Sequence, residues 1–165
     1  MICVGRYSAS LKNSLKRLKF SNKASYYRAF GKLLALKVEN IIKLDQIDMI
    51  IPVPLYKSKQ KQRGYNQAEL IAEYAAKQLN IPFGANLLVK TSESKSQSVL
   101  GRNERLSNVE GLFEVVNTQA VYKKNILIVD DIITTGSTIN QCSKALKLAG
   151  ASSVVAGVIA TTRNY

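Results

Sequence analysis

Apolar positions along the chain alternate between a helical period and short unbroken runs, and that alternation recurs from end to end. Leu11, Leu15 and Leu18 fall at i, i+4, i+7, interleaved with Lys12, Lys16 and Arg17 and followed by Lys19. The pattern predicts a short amphipathic helix with a basic outer face. The period continues from Arg28 to Leu44, where Phe30, Leu33, Leu34, Val38, Ile41 and Ile42 are expected to face a core. Asp48 to Pro54, DMIIPVP, reads as a buried strand leaving its sheet at Pro54. Lys57 to Arg63 has no apolar period and reads as a basic loop. Asn66 is placed to cap a helix over Ala68 to Leu79, with Glu69 as its capping-box partner. Leu87-Leu88-Val89 and Leu112 to Val116 read as short strands, with Lys90 to Asn108 a long loop between them. Ile126 to Val129 is a strand, Thr138 to Leu148 a helix stopped by Gly150, and Val154 to Ala160 a last strand. Strands alternating with helices predict an α/β fold: a doubly wound, mainly parallel sheet flanked by helices, with ligands at the strands' carboxyl ends.

Composition narrows the chemistry. A chain of 165 residues can bury one core, so one domain is expected. It holds no His, which excludes a His-based acid, base or metal ligand. Cys3 and Cys142 give neither a disulfide framework nor metal-ligand spacing, and no zinc site is expected in this chain. No apolar stretch approaches a membrane span, and Met1 to Val4 lacks a signal-peptide pattern. The expected setting is the reducing cytoplasm, with association with the inner face of the membrane arising only through partners. Charge is spread unevenly: Met1 to Arg63 holds 14 Lys/Arg against 3 Asp/Glu, and Gly64 to Tyr165 holds 10 against 8. A polyanion meeting the first part would be attracted and would release counterions; a solvated surface is the other account of the same charge.

The most informative segment is Asn125 to Thr138, NILIVDDIITTGST. An apolar strand there delivers two adjacent carboxylates, Asp130 and Asp131, and a turn rich in hydroxyls and glycine opens onto a helix. A helix N-terminus has unpaired N–H groups and a partial positive charge, so it binds phosphate. Carboxylates repel phosphate but accept from hydroxyls. The pair of features suits a ribose 5-phosphate, whose vicinal hydroxyls need acceptors while its phosphate needs donors.

This arrangement resembles the phosphoribosyl pyrophosphate (PRPP) motif of the type I phosphoribosyltransferases: apolar strand, two acids, two spacers, then T-T-G-x-T. Ile51-Pro52-Val53-Pro54-Leu55 and Arg63-Gly64-Tyr65-Asn66-Gln67-Ala68 look like the signature of the ComF family of competence-associated phosphoribosyltransferase-like proteins. Lys90, Gln97, Leu100, Arg105, Asn108, Val109, Gly111 and Phe113 fit the same family's middle segment. ComF-type proteins usually begin with a cysteine-rich segment that has no counterpart here.

The resemblance implies a type I phosphoribosyltransferase-like domain, with a basic helical part over residues 1–45 and a PRPP-binding core over 46–165. It implies that Asp130 and Asp131 hold the ribose hydroxyls and, indirectly, magnesium (Mg2+). Thr134, Thr135, Gly136, Ser137 and Thr138 would cradle the 5-phosphate. Leu55, Tyr56, Lys57 and Arg102 would meet the pyrophosphate, and Lys90 and Arg105 would bring cations to it as it departs. Arg63 is either a further anion contact or a helix-surface charge. Implied partners are PRPP, single-stranded DNA and proteins of the competence machinery, in natural transformation. Lys12, Lys16, Arg17 and Lys19 are the expected nucleic-acid contacts. Tyr7, Tyr26 and Tyr27, lying among basic residues, either stack on bases or join the core. The alternative function is an active phosphoribosyltransferase that attaches ribose 5-phosphate to a nitrogen acceptor.

Overall fold

A computed structural model describes residues 1–20, 25–92 and 111–162. In chain order its elements are β1 (Ile2–Arg6), α1 (Ala9–Phe20), α2 (Tyr26–Glu39), β2 (Met49–Pro52), α3 (Lys57–Arg63) and α4 (Gln67–Leu79). There follow β3 (Leu88–Lys90), β4 (Phe113–Val115), α5 (Thr118–Val121), β5 (Asn125–Ile133), α6 (Ser137–Leu148) and β6 (Ser153–Thr161). Among the described residues no helix is long and apolar enough to cross a membrane.

The expected sheet is present. Four strands lie in the order β1-β6-β5-β2, and every pairing among them is parallel. Parallel strands covered on both faces need continuous apolar runs, and β5 supplies one: Ile126 to Val129 are at most 1% exposed. On one face α1, α2 and α4 bury Leu15, Leu18, Leu34, Val38, Ile71 and Ala75 against Leu127 and Val129. On the other, α6 and the β3–β4 hairpin bury Cys142, Leu146, Leu88 and Phe113 against Ile126 and Ile128. Each fully buried Leu or Ile contributes about 1.5–3 kcal/mol of transfer free energy. Residues before position 46 thus share a core with the strand that carries the acids. Helices α2 and α4 touch closely at Gly31, where a Cβ would stand 2.9 Å from the Cβ of Tyr74.

Several local expectations need correction. Residues Lys57 to Arg63 form a helix, not a loop. Lys, Gln and Arg are good helix formers, Tyr56 enters in an extended conformation, and Gly64 ends the helix at φ 80°. No residue of α3 is buried, so it has no apolar stripe for a periodicity to reveal. Helix α2 stops at Glu39, short of Leu44. Leu33 is 47% exposed because it lies roughly 100° around the helix from Leu34, off the stripe of Phe30, Leu34 and Val38. Ile41, beyond the helix end, is 54% exposed. Strand β1 was not expected at all, and β3 and β4 form a separate antiparallel pair.

Candidate functional site

Because the strands of the central sheet are parallel, their carboxyl ends meet at one edge, and β5 brings Asp130 and Asp131 there. The strand does not end at the acids as expected. It continues to Ile133, with Ile132 opposite Ala160 and Ile133 opposite Thr161. What changes at the acids is the phase of the strand. Ile126 and Ile128 pack on the α6 face and Leu127 and Val129 on the α4 face, but beyond the acids Ile133 is on the α6 face and Ile132 on the other. Strict alternation is broken across Asp130-Asp131. The Asp131 N–H donates to Asp130 Oδ1 at 2.8 Å. Asp130 is half-buried, and Asp131 is 8% exposed.

The turn that follows leads directly into α6. Gly136 is the N-cap at φ 83°, a left-handed conformation that a side chain disfavours. Thr134, Thr135, Ser137 and Thr138 are exposed around it, and Thr135 Oγ1 accepts from the Ser137 N–H at 3.4 Å. Ser137 and Thr138, expected in the turn or at its end, are the first two residues of the helix. Their N–H groups belong to the helix's donor-rich first turn. The edge therefore offers acceptors on one side and backbone donors with positive dipole character on the other.

Strand β2 supplies the neighbouring wall. The Val53 N–H donates to the carbonyl of Val129, the residue before the acid pair, at 2.8 Å. Leu55 and Tyr56 are half-buried, and Lys57 is the exposed first residue of α3. Asn66 fixes the start of α4 as expected, though its cap accepts from the Ala68 N–H, at 3.1 Å. The same side chain donates through Nδ2 to the Val53 carbonyl at 3.0 Å.

Lys90 is the last residue of β3, not a loop residue, and its Nζ lies 5.5 Å from the centre of the Phe113 ring. The buried Cys142 thiol is pushed far above the ordinary range by burial and further by the Asp130 carboxylate, while Lys90 pulls it back. Arg102 and Arg105 lie outside the described residues. At the opposite, amino edge of the sheet a cavity of about 440 Å³ is lined by Asp45, Gln46, Asn125 and Ser153 among others.

The phosphoribosyl transferase domain family matches residues 66–165 of the chain. Competence protein F of Haemophilus influenzae is 34% identical over 154 residues, covering 91% of this chain and 67% of that protein. The chain belongs to the ComF family. Another relative of this ComF chain, DNA utilization protein YhgH of Escherichia coli O157:H7, is 29% identical over 157 residues, covering 93% of the chain and 68% of its own length. Among solved structures, glutamine PRPP amidotransferase from Bacillus subtilis, complexed with ADP and GMP, superposes with a TM-score of 0.55 at 21% identity. That match covers 79% of the ComF chain and 25% of the larger protein, and it shows a shared fold.

In the ComF chain Asp130 and Asp131 on β5 run through Thr134 to Thr138 into α6, Leu55 to Lys57 follow β2, the strand paired with β5, and Lys90 ends β3 in the separate antiparallel pair. On the α1 side, Lys12, Lys16 and Arg17 are exposed as expected, and Lys19 lies in the same helix. Arg17 Nη1 donates to the Tyr26 hydroxyl at 3.3 Å. Tyr7, Tyr26 and Tyr27 follow the core alternative: all are half-buried against the α2–α4 side, with Tyr27 edge-on to Tyr74 at 6.0 Å. One residue at this edge had no sequence signal as a polar feature. Gln67 is 2% exposed, accepts through Oε1 from Arg63 Nη1 at 3.2 Å, and its Nε2 has no acceptor among the described residues.

Proposed function

We propose that this ComF-family chain binds PRPP with magnesium at the carboxyl edge of β5 and handles single-stranded DNA in natural transformation. The observation that carries the PRPP reading is the continuity of acid pair and cradle: Asp130 and Asp131 on β5, then Gly136 at φ 83° opening α6. In this reading the carboxylates accept from the ribose hydroxyls, and the N–H groups of Ser137 and Thr138, with the flanking hydroxyls, hold the 5-phosphate. Leu55, Tyr56 and Lys57 face the pyrophosphate end.

Magnesium suits the same donors. Among the described residues no group of three or more His, Cys, Asp or Glu could cage a metal. Magnesium does not need a cage; it is bound through one or two carboxylates plus substrate phosphates and keeps several waters. Asp130 and Asp131 supply that carboxylate pair. When bound, the ion adds positive charge to the diphosphate oxygens.

The DNA part of the reading is supported by the excess of cations before Gly64, by the exposed Lys12, Lys16 and Arg17 of α1, and by the names of the relatives. Isothermal calorimetry with PRPP, with and without magnesium, tests the first half. Heat in the wild type that falls at least tenfold in apparent affinity in Asp130→Asn/Asp131→Asn is expected; no heat in the wild type sinks the reading. A labelled single-stranded oligonucleotide titrated at rising salt tests the second half, and absent or salt-insensitive binding would count against it.

The match of residues 66–165 to the phosphoribosyl transferase domain family favours a second reading, transfer of the ribose 5-phosphate to a nitrogen acceptor. The anomeric C–O bond to pyrophosphate breaks as a C–N bond forms, and a cation beside the departing group stabilises its charge. Pyrophosphate release across a panel of amines and bases, above that of the Asp130→Asn/Asp131→Asn variant, is the result this reading requires.

A further inference from the structure

The turn between α3 and α4 holds a buried donor that neither the sugar-phosphate site nor the helix cap uses. Gln67, the first residue of α4, is 2% exposed, and its Nε2 lacks an acceptor among the described residues. Such a group destabilises a fold, and a Met of similar size would remove the unpaired donor. Helix α4 spans 13 residues, so its first turn carries the partial positive charge of a full helix. The Asn66 Nδ2 bond to the Val53 carbonyl, at 3.0 Å, ties that turn to the carboxyl end of β2. Glu69, the acid of the first turn, has its carboxyl pushed up by burial and then by Glu73.

The surroundings select the kind of anion. Lys57, Lys59, Lys61 and Arg63 lie on α3, which has no acidic and no buried residue. Tyr65, in the turn, donates its hydroxyl to the Leu18 carbonyl and so fixes the turn to the end of α1. On that helix Lys12, Lys16 and Arg17 are exposed. The two helices tied at this turn, α3 and α1, both carry exposed cations, which suits a chain of phosphodiesters.

We propose that the α3–α4 turn is a phosphodiester site, in which Gln67 Nε2 and the α4 N-terminus seat one backbone oxyanion of single-stranded DNA while Lys59 and Lys61 neutralise its neighbours. Arg63, which already holds the Gln67 amide, is the half-buried side chain whose shift onto the phosphate uncovers Nε2. The proposal rests on the nucleic-acid half of the function proposed above. The diphosphate of PRPP presents the same chemistry and is the competing source.

Fluorescence anisotropy of a labelled oligodeoxythymidylate across a salt series tests it in the wild type, Lys59→Gln/Lys61→Gln and Gln67→Met, with PRPP calorimetry on each. The double variant is expected to flatten the slope of log K against log salt by about 1.4, two contacts at roughly 0.7 each on a single strand. Gln67→Met is expected to weaken oligonucleotide binding about tenfold at every salt with the slope unchanged. Its PRPP heat should stay at the wild-type level, and its melting temperature should not fall. An unchanged slope in the double variant overturns the site while leaving the nucleic-acid reading intact. Loss of PRPP binding in Gln67→Met assigns the donor to the diphosphate and overturns it too. A lower melting temperature with oligonucleotide affinity intact makes Gln67 structural only. A wild type that binds no oligonucleotide removes this site and the reading beneath it together, while the PRPP calorimetry stands separately.

Discussion

Replacing Asn66 by Ala removes two bonds at one stroke. The Oδ1 cap to the Ala68 N–H and the Nδ2 bond to the Val53 carbonyl both lie in a side chain that is 5% exposed. Loss of an Asn cap destabilises by about 1 kcal/mol. Stranding the carbonyl of Val53, a residue itself 5% exposed, adds about 1–3 kcal/mol. The expected total is about 2–4 kcal/mol. For a chain of this length each kcal/mol lowers the melting temperature by roughly 2–4 °C, so a fall of roughly 4–16 °C is expected. Circular dichroism during urea and thermal unfolding reads this out. Two companions separate the terms. Asn66→Ser keeps a cap acceptor but is too short to reach Val53, and should recover about 1 kcal/mol. Asn66→Asp keeps the cap yet sets a carboxylate against a carbonyl, and should do no better than Ala at neutral pH. An Asn66→Ala variant within about 0.5 kcal/mol of the wild type, a spread usual for inert surface changes, would refute both bonds' contribution. Full recovery by Ser would refute the Val53 contribution.

Three further outcomes are expected. Gly136→Ala forces a side chain into φ 83° and should lower stability by about 1–2 kcal/mol; calorimetry should show weaker PRPP binding, and unaltered affinity would argue against backbone approach at that turn. Gly31→Ala gains helix propensity of about 1 kcal/mol but drives a methyl to 2.9 Å from the Tyr74 Cβ and 3.0 Å from the Ile71 carbonyl oxygen. A lower urea midpoint is expected, and a higher one would mean that α2 and α4 can separate freely. The Cys142 thiol is raised chiefly by burial, so the folded chain keeps its proton where the unfolded chain loses it. Stability from this group is complete below the ordinary thiol range, roughly pH 8.5, and then falls by about 1.4 kcal/mol per pH unit as pH rises. Urea midpoints from pH 8 to 10.5 should therefore drop more steeply in the wild type than in Cys142→Ala, and parallel curves would contradict the assignment.

The central strands and α6 were legible because each is a local pattern: Ile126 to Val129 is an unbroken apolar run, and the acids and hydroxyls follow within a dozen residues. The candidate site was legible for the same reason, since one strand, one turn and one helix start carry most of it. Strand β1 escaped notice because Ile2–Arg6 is short, includes Gly5, and is defined by pairing with the far end of the chain at Gly157 to Thr161. Helix α3 escaped because periodicity detects burial, and nothing in it is buried. Leu33 and Ile41 were misplaced because counting apolar residues does not fix which side of the helix meets the sheet. The seat of Lys90 over the Phe113 ring needs β3 paired with β4, and the unpartnered Nε2 of Gln67 exists only once its neighbours surround it. Neither is written in any short stretch of sequence.

The seven-residue helix after Tyr56 has a consequence for how such a chain can change over time. Helices this short are marginal alone, and this one contributes no side chain to either core. Its sequence is therefore almost uncoupled from the stability of the sheet beneath it. Substitutions there can redraw the charge of the ligand edge, residue by residue, without threatening the scaffold: a keyboard of variable keys mounted on a fixed frame.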